Sequence, residues 1–277
     1  MATETSLAPA EPFATALKEC RYGRMLYLRG DIYIGRSLEL YGEYGQGENA
    51  LFDQLLAPGQ IAVEVGANIG AHTVHLAKLV GPGGTVLAFE PQRPIFTLLC
   101  ANLALNDLFH VRPIHAAVGS TAGTINVPVL DPRAQQNFGG LALGPTSQGE
   151  PVSQVMLDHY PLQALRLLKL DVEGMESEVL LGARQTIAQH RPILYVENDR
   201  RDKSAGLIRL IEELGYRSYW HLAPLFNPAN FAGHTENVFG GITSINMICL
   251  PNETPISITG FRQVAGPDDW WEDRIAQ

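Results

Sequence analysis

Cysteine is scarce in this chain of 277 residues: Cys20, Cys100 and Cys249 stand far apart. Isolated thiols with no metal-type spacing give no disulfide framework and fit a reducing compartment. Basic runs are missing as well. With 20 Lys and Arg against 29 Asp and Glu, the formal charge is −9. That balance argues against a nucleic-acid surface, because phosphate contacts need clustered cations. No uninterrupted apolar run approaches the roughly 20 residues of a membrane span. The first residues, MATETSLAPAEPF, place acids and prolines where a secretory leader carries basic and then apolar ones. The expectation is a cytoplasmic protein without a membrane span. No internal repeat or linker is evident. What is present, 45% hydrophobic and 18% charged residues, describes an ordinary globular chain with ample material for one core.

The chain is organised around residues 61–90, IAVEVGANIGAHTVHLAKLVGPGGTVLAFE. This stretch predicts a buried strand from Ile61 to Val65, a tight turn over Gly66-Ala67-Asn68-Ile69-Gly70, and a helix from about Ala71 to Val80. A second buried strand follows from Thr85 to Phe89, ending on Glu90. Such a unit is the nucleotide-binding half of a doubly wound α/β fold, with its ligand at the carboxyl ends of the strands. Glu90 then stands where a carboxylate accepts hydrogen bonds from two ribose hydroxyls. A dinucleotide fingerprint needs Gly-x-Gly-x-x-Gly, whose second glycine admits the pyrophosphate; here Asn68 occupies that position. Glu64 would repel a pyrophosphate but could help hold an ammonium group. An adenosyl ligand with an amino-acid tail fits better, and S-adenosylmethionine is that ligand.

Glu64-Val65-Gly66-Ala67-Asn68-Ile69-Gly70, Phe89-Glu90-Pro91, Leu157-Asp158 and the run Leu168 to Glu176, followed by Val179 to Ala183, resemble the FkbM family of S-adenosylmethionine-dependent methyltransferases. The likeness runs from about Tyr41 to Glu197, in the family's order and spacing. Glu64 departs mildly, since related enzymes more often carry Asp there. The resemblance implies a Rossmann-like class I methyltransferase fold, with a mostly parallel doubly wound sheet and an antiparallel C-terminal strand. It also implies methyl transfer, usually to oxygen, and leaves the acceptor open. Cofactor contacts are expected from Glu64, Gly66, Ala67, Asn68, Gly70, Thr73, Glu90 and Pro91. Adenine is expected near Ala117, at the end of a third strand over 111–118.

Around this core, residues 1–44 read as an extension with a β-hairpin around Gly30-Asp31, 45–250 as the methyltransferase domain, and 251–277 as a tail. A helix is expected over 49–56, with Asn49 as its cap. One continuous helix is expected after Gly174, with Val179, Leu180, Ala183 and Ile187 on its buried face. Two irregular loops, over 131–150 and 222–241, are expected at the cleft edge, with Asn137-Phe138-Gly139-Gly140 near the acceptor. Asp158 reads as a helix cap and His72 as an ordinary polar helix residue. Trp270 and Trp271 are expected either to fold back or to meet a partner subunit in a homo-oligomer.

Methyl transfer from a sulfonium needs alignment of the acceptor, exclusion of water and a place for the acceptor's proton. Candidates at the strand ends are Lys169, Asp171, Glu197 and Asn198. In one arrangement a carboxylate takes the proton while Lys169 adjusts its pKa. In the other, Asp171, Glu197 and Asn198 hold Mg²⁺ on oxygen ligands, much as catechol-type methyltransferases place similar residues. The acceptor is expected to be a hydroxyl on a small natural product, glycan or glycolipid. Two rivals are a nicotinamide-dependent oxidoreductase, which lacks a Tyr-x-x-x-Lys pair here, and a non-catalytic cofactor-binding protein on the same fold.

Overall fold

The computed structural model describes residues 13–141, 148–256 and 258–272. The chain opens with a hairpin, β1 (Thr15–Cys20) and β2 (Gly23–Leu28), whose turn lies at Arg21-Tyr22. The expected hairpin at Gly30-Asp31 is corrected: its second half is a helix, α1 (Ile34–Tyr41). Ile34, Leu38 and Tyr41 recur at helical spacing and all three are buried. Gly42 ends α1 in the left-handed region at φ 65, donating its N–H to Leu38 O, the usual glycine stop. The next helix, α2 (Gln46–Leu55), starts three residues before the expected Asn49 cap. Asn49 sits inside it, fully buried, with its amide donating to Tyr44 O at 3.1 Å.

The core unit follows, with β3 (Ile61–Val65), α3 (Thr73–Val80) and β4 (Thr85–Phe89) as expected, then α4 (Arg93–Leu105) and β5 (Val111–Ile114), which is shorter than the strand expected over 111–118. A small second sheet is then inserted from β6 (Ala117–Val118), β7 (Gly123–Val127) and β8 (Glu150–Val155). The main sheet resumes with β9 (Leu167–Leu170), α5 (Glu176–Leu181), α6 (Arg184–His190), β10 (Ile193–Glu197) and α7 (Arg201–Glu213). It closes with β11 (Tyr216–Pro224), β12 (Thr243–Pro251) and a short edge strand, β13 (Arg262–Gln263). The eight strands run in the order β13-β11-β12-β10-β9-β3-β4-β5. Strands β5, β4, β3, β9 and β10 pair in parallel, whereas β12, β11 and β13 pair antiparallel. This is the doubly wound α/β fold of the class I methyltransferases, preceded by an antiparallel hairpin.

Strand alternation divides the core between two faces. Ala62, Leu167 and Ile193 pack with α3, α4 and the hairpin on one face, and Val63, Leu168 and Leu194 pack with α5, α6 and α7 on the other. Two expectations about helices change. The helix after Gly174 breaks into α5 and α6 at Gly182, where a Cβ would lie 2.0 Å from Gly119 O. Asp158 does act as a cap, but for α6: its carboxylate accepts the N–H groups of Gln185 (3.1 Å) and Thr186 (2.8 Å). In the tail Trp270 folds back, its ring 5.9 Å from that of Trp220, and Asp269 ties it down through Arg262 at 2.7 Å.

Candidate active site

The carboxyl ends of β3, β4, β9 and β10 open into one cleft of about 1240 Å³, counted out through its open mouth. The turn after β3 forms the floor. Gly66 and Ala67 donate their N–H groups to Phe89 O at 3.0 and 2.9 Å. Gly66 is required on two counts: its φ is +84, and a Cβ would meet Asp171 O at 1.8 Å. Asn68 takes φ 49, uncommon for a residue with a side chain and most tolerable for Asn. Its Oδ1 accepts the N–H of Ile69 at 2.7 Å.

Glu90 is buried, at 3% exposure. One carboxylate oxygen accepts Asn68 N–H at 2.9 Å and the other accepts Gln92 N–H at 2.8 Å. Those bonds aim the group and leave further lone pairs on each oxygen for donors in the cleft. Burial pushes the carboxyl up to about 7 against these two bonds, and the charges of Asp171 and Glu64 add to the rise.

Lys169, at 2% exposure, sits between Glu64 Oε1 (3.4 Å) and Asp171 Oδ2 (3.3 Å). Alternation along β9 accounts for this, since Lys169 and Asp171 share a face and Glu64 is the register partner of Lys169 on β3. Burial works against the ammonium, but Asp171, Glu64 and Glu48 outweigh it and raise the group above the usual lysine range. Lys169 is therefore a fixed cation and no proton acceptor. The other oxygen of Glu64 accepts the Thr73 hydroxyl at 2.6 Å, so both oxygens are engaged within the protein.

A second buried polar group was not foreseen. His72 lines the cleft with Nδ1 3.0 Å from Asn49 Oδ1 and Nε2 2.6 Å from Glu48 Oε2. Asn246 donates to Glu48 Oε1 at 2.7 Å. Burial opposes the ionised Glu48, but His72 and Lys169 together hold its carboxyl down to about 2. Asn49 engages Nδ1, whereas the Nε2 approach to Glu48 is a close contact without hydrogen-bond geometry.

Asp171, Glu173 and Glu197 bring carboxylate oxygens within 4.8 Å of one another. Asp171 pairs with Lys169, and Glu173 forms an ion pair with Arg200. Glu197 Oε2 is enclosed with no hydrogen-bond partner among the described residues. Burial, then the charges of Asp171 and Glu173, push Glu197 well above the usual carboxylate range. Burial and Asp171 likewise push Glu173 up to about 7. Asn198 does not join them. Its amide donates to Ser204 Oγ (2.9 Å) and Met247 Sδ (3.4 Å), which turns it into the protein and corrects its place among the catalytic and metal-ligand candidates.

Of the expected cofactor residues, Glu64, Gly66, Ala67, Asn68, Glu90 and Pro91 line the cleft. Gly70 faces Leu99 instead, and Thr73 supports Glu64 from behind. Ala117 is corrected: the third strand breaks after Ile114, and Ala117 pairs with Gln154 in the small sheet, buried away from the cleft. Gln92, Asn137, Gly139, Gly140 and Leu141 line the cleft where Ala117 does not. Gln92 donates to Phe138 O at 2.9 Å, and Asn137 Oδ1 accepts the N–H groups of Gly139 and Gly140, each at 2.9 Å. Phe138 points into the core and not toward an acceptor. The remainder of that loop, 142–147, lies outside the described residues.

Residues 64–218, more than half of the chain, match the model of the methyltransferase FkbM domain. The chain belongs to the FkbM methyltransferase family. It is 33% identical over 154 residues to methyltransferase sdnD of Sordaria araneosa, covering 43% of this chain and 59% of that protein. To methyltransferase 1 of Beauveria bassiana (strain ARSEF 2860) it is 26% identical over 143 residues, covering 43% of this chain and 57% of that one. The chain thus spans less than three-fifths of the length of these curated relatives. Among solved structures, methyltransferase FkbM from Methylobacillus flagellatus KT is similar at 15% identity and a TM-score of 0.43, over 72% of this chain and 50% of that one. The segment matched by the family model carries the Gly66 turn, Glu90, Lys169, Asp171 and Glu197. The Glu48, Asn49 and Asn246 partners lie outside it.

Proposed function

We propose that this protein transfers the methyl group of S-adenosylmethionine to a hydroxyl oxygen of a small natural product, glycan or glycolipid. The observation that carries the reading is Glu90: a buried carboxylate at the tip of β4, aimed into the cleft by two backbone N–H groups. A ribose diol supplies the two donors such a group accepts. The Gly66 turn lies beside it, and Asn68 occupies the position a pyrophosphate would need. Pro91, Gln92 and Gly139 form the wall for adenine. Seven acidic side chains line the cleft, and Lys169 is the one lysine among its described lining residues. That field favours a sulfonium and an ammonium and repels a dinucleotide's phosphates. It therefore counts against the nicotinamide alternative.

The bound cofactor supplies an activated methyl on a positively charged sulfur. Attack by the acceptor oxygen forms the C–O bond as the C–S bond breaks, and the electron pair stays on sulfur. The hydroxyl proton goes to Glu197, half-buried at the end of β10, in its ionised form. Lys169 holds Asp171 in place beside it. Because Glu197 must be ionised to act, turnover is expected to rise with pH above the ordinary carboxylate range.

Asp171, Glu173 and Glu197 could together offer Mg²⁺ an all-oxygen donor set. Two of the three are already neutralised by Lys169 and Arg200, so the proton-acceptor reading is preferred. Turnover is accordingly expected to survive exhaustive chelation; loss of turnover restored by Mg²⁺ would reassign the cluster to a metal.

Binding should also report on Glu90. Its protonated form must lose the proton before it accepts both ribose hydroxyls, so ligand binding releases a proton and lowers the group's pKa. Affinity for S-adenosylhomocysteine should fall about tenfold per pH unit below about 7 and level off above it. In the free protein the same group works the other way. Its pKa is raised on folding, so its contribution to stability declines as pH rises from the unfolded carboxyl's range through about 7. The thermal shift given by the ligand should therefore grow with pH. Calorimetry in two buffers of different ionisation enthalpy checks the proton release directly.

A further inference from the structure

Two segments outside the family-matched residues 64–218 also line the cleft. Tyr33 and Ile34 come from the start of α1, and Leu225 and Ile242 bracket the long loop between β11 and β12. Tyr33, Leu225 and Ile242 make an apolar wall, whereas Ile34 lies by Gly139 and Asn68 on the cofactor side. Leu225 belongs to a cluster with Tyr41 and Phe239, and Tyr33 packs against it with its ring 6.2 Å from that of Phe239. Leu225 N–H donates to Ile242 O at 3.1 Å, which joins the two ends of the loop.

The wall is pinned. Glu43, at 4% exposure, accepts Arg21 Nε–H (2.6 Å), Asn227 Nδ2–H (2.7 Å) and Phe231 N–H (2.8 Å). The Tyr41 hydroxyl donates to Glu236 O at 3.0 Å and accepts Val238 N–H at 2.9 Å. The loop that carries this surface is thus tied down, and β12 leads from it to the carboxylates: Asn246 is the register partner of Glu197, and Ile242 to Asn246 all line the cleft. Ile242 remains 43% exposed, so part of its apolar surface is open to a ligand.

We propose that the acceptor is amphipathic: a hydroxyl-bearing head held at Asp171 and Glu197, joined to an apolar skeleton that lies on Tyr33, Leu225 and Ile242. This rests on the methyl-transfer reading and narrows it. A free sugar would leave the wall wet, and an anionic head would meet the carboxylates. A molecule with one polar end and one apolar end satisfies both surfaces, and binding strength should scale with the apolar area covered.

The test uses the full chain saturated with S-adenosylhomocysteine, whose own binding is measured first by calorimetry. Dissociation constants are then taken by ligand-observed NMR for 1,2-octanediol, 1,2-propanediol and octanoate. The diol with the longer chain is expected to bind at least tenfold tighter than either of the others. Ile242→Asp, a change at a half-exposed position, is expected to bring its affinity down to that of 1,2-propanediol without altering the affinity for S-adenosylhomocysteine. Equal binding of the two diols, binding of octanoate as tight as 1,2-octanediol, no binding of 1,2-octanediol, or indifference to Ile242→Asp would each overturn the inference. Those outcomes leave the methyl-transfer reading standing, whereas failure to bind S-adenosylhomocysteine at the outset removes the reading itself.

Discussion

Glu197→Gln is expected to lower methyl transfer by about 100- to 10,000-fold, the usual contribution of a positioned proton acceptor. The measurement is label transfer from methyl-labelled S-adenosylmethionine to an acceptor found by screening natural products, glycans and glycolipids. The substitution preserves shape and removes only the basic oxygen, so S-adenosylhomocysteine affinity should stay within about twofold. The reason for singling out Glu197 is electrostatic. Lys169 compensates Asp171, and Arg200 compensates Glu173, whereas Glu197 Oε2 has no hydrogen-bond partner among the described residues. A buried carboxylate without a partner gains most from taking a proton. The alkaline rise in turnover expected of the wild type should disappear in the variant. Full activity in Glu197→Gln would move the proton to another group, with Glu173 next, since burial also raises it, up to about 7.

Glu90→Ala is expected to weaken S-adenosylhomocysteine binding by about 10- to 150-fold, the loss of 1.5–3 kcal/mol typical of hydrogen bonds to a charged group. The effect has two parts. The ribose hydroxyls lose their acceptor, and Asn68 N–H and Gln92 N–H lose theirs, so the glycine turn is no longer held to the tip of β4. Glu90→Gln separates the parts: its amide oxygen still accepts one donor, and its affinity should fall between wild type and Glu90→Ala. The pH dependence of binding should vanish in both variants. Unchanged affinity in Glu90→Ala would show that the ribose is held elsewhere.

Much of the cofactor half was legible before the structure because its signals are local. A buried strand, a turn that only glycine and asparagine tolerate, and an acid at the next strand's tip are all consecutive in the chain. Asp171 and Lys169 followed from strand alternation. The misses share a different cause, which is pairing between distant segments. The strand expected through Ala117 breaks because Ala117 finds Gln154 on β8, a partner across a loop that no periodicity reveals. Asn198 stands at a strand end as expected, yet Ser204 and Met247 capture its amide, and the direction of a side chain at a strand end is set by such partners. Glu48, His72 and Asn246 form their buried group from three elements, with Asn246 lying 198 residues after Glu48. Its one sequence clue was the polar run Tyr41 to Asn49 just before the core, where Glu48 and Asn49 sit. The hairpin was misplaced because residues 24–40 alternate weakly throughout, while the helical spacing of Ile34, Leu38 and Tyr41 prevails in its second half.

Everything on the catalytic side depends on which ligand the Gly66 turn and Glu90 receive. Isothermal titration of the purified chain with S-adenosylmethionine, S-adenosylhomocysteine and NADH at pH 8 addresses that most directly. Saturable one-to-one binding of both adenosyl compounds, with no heat from NADH, is the predicted result. Binding of NADH, with both adenosyl compounds left unbound by folded protein, would contradict the assignment of the cleft to methyl transfer.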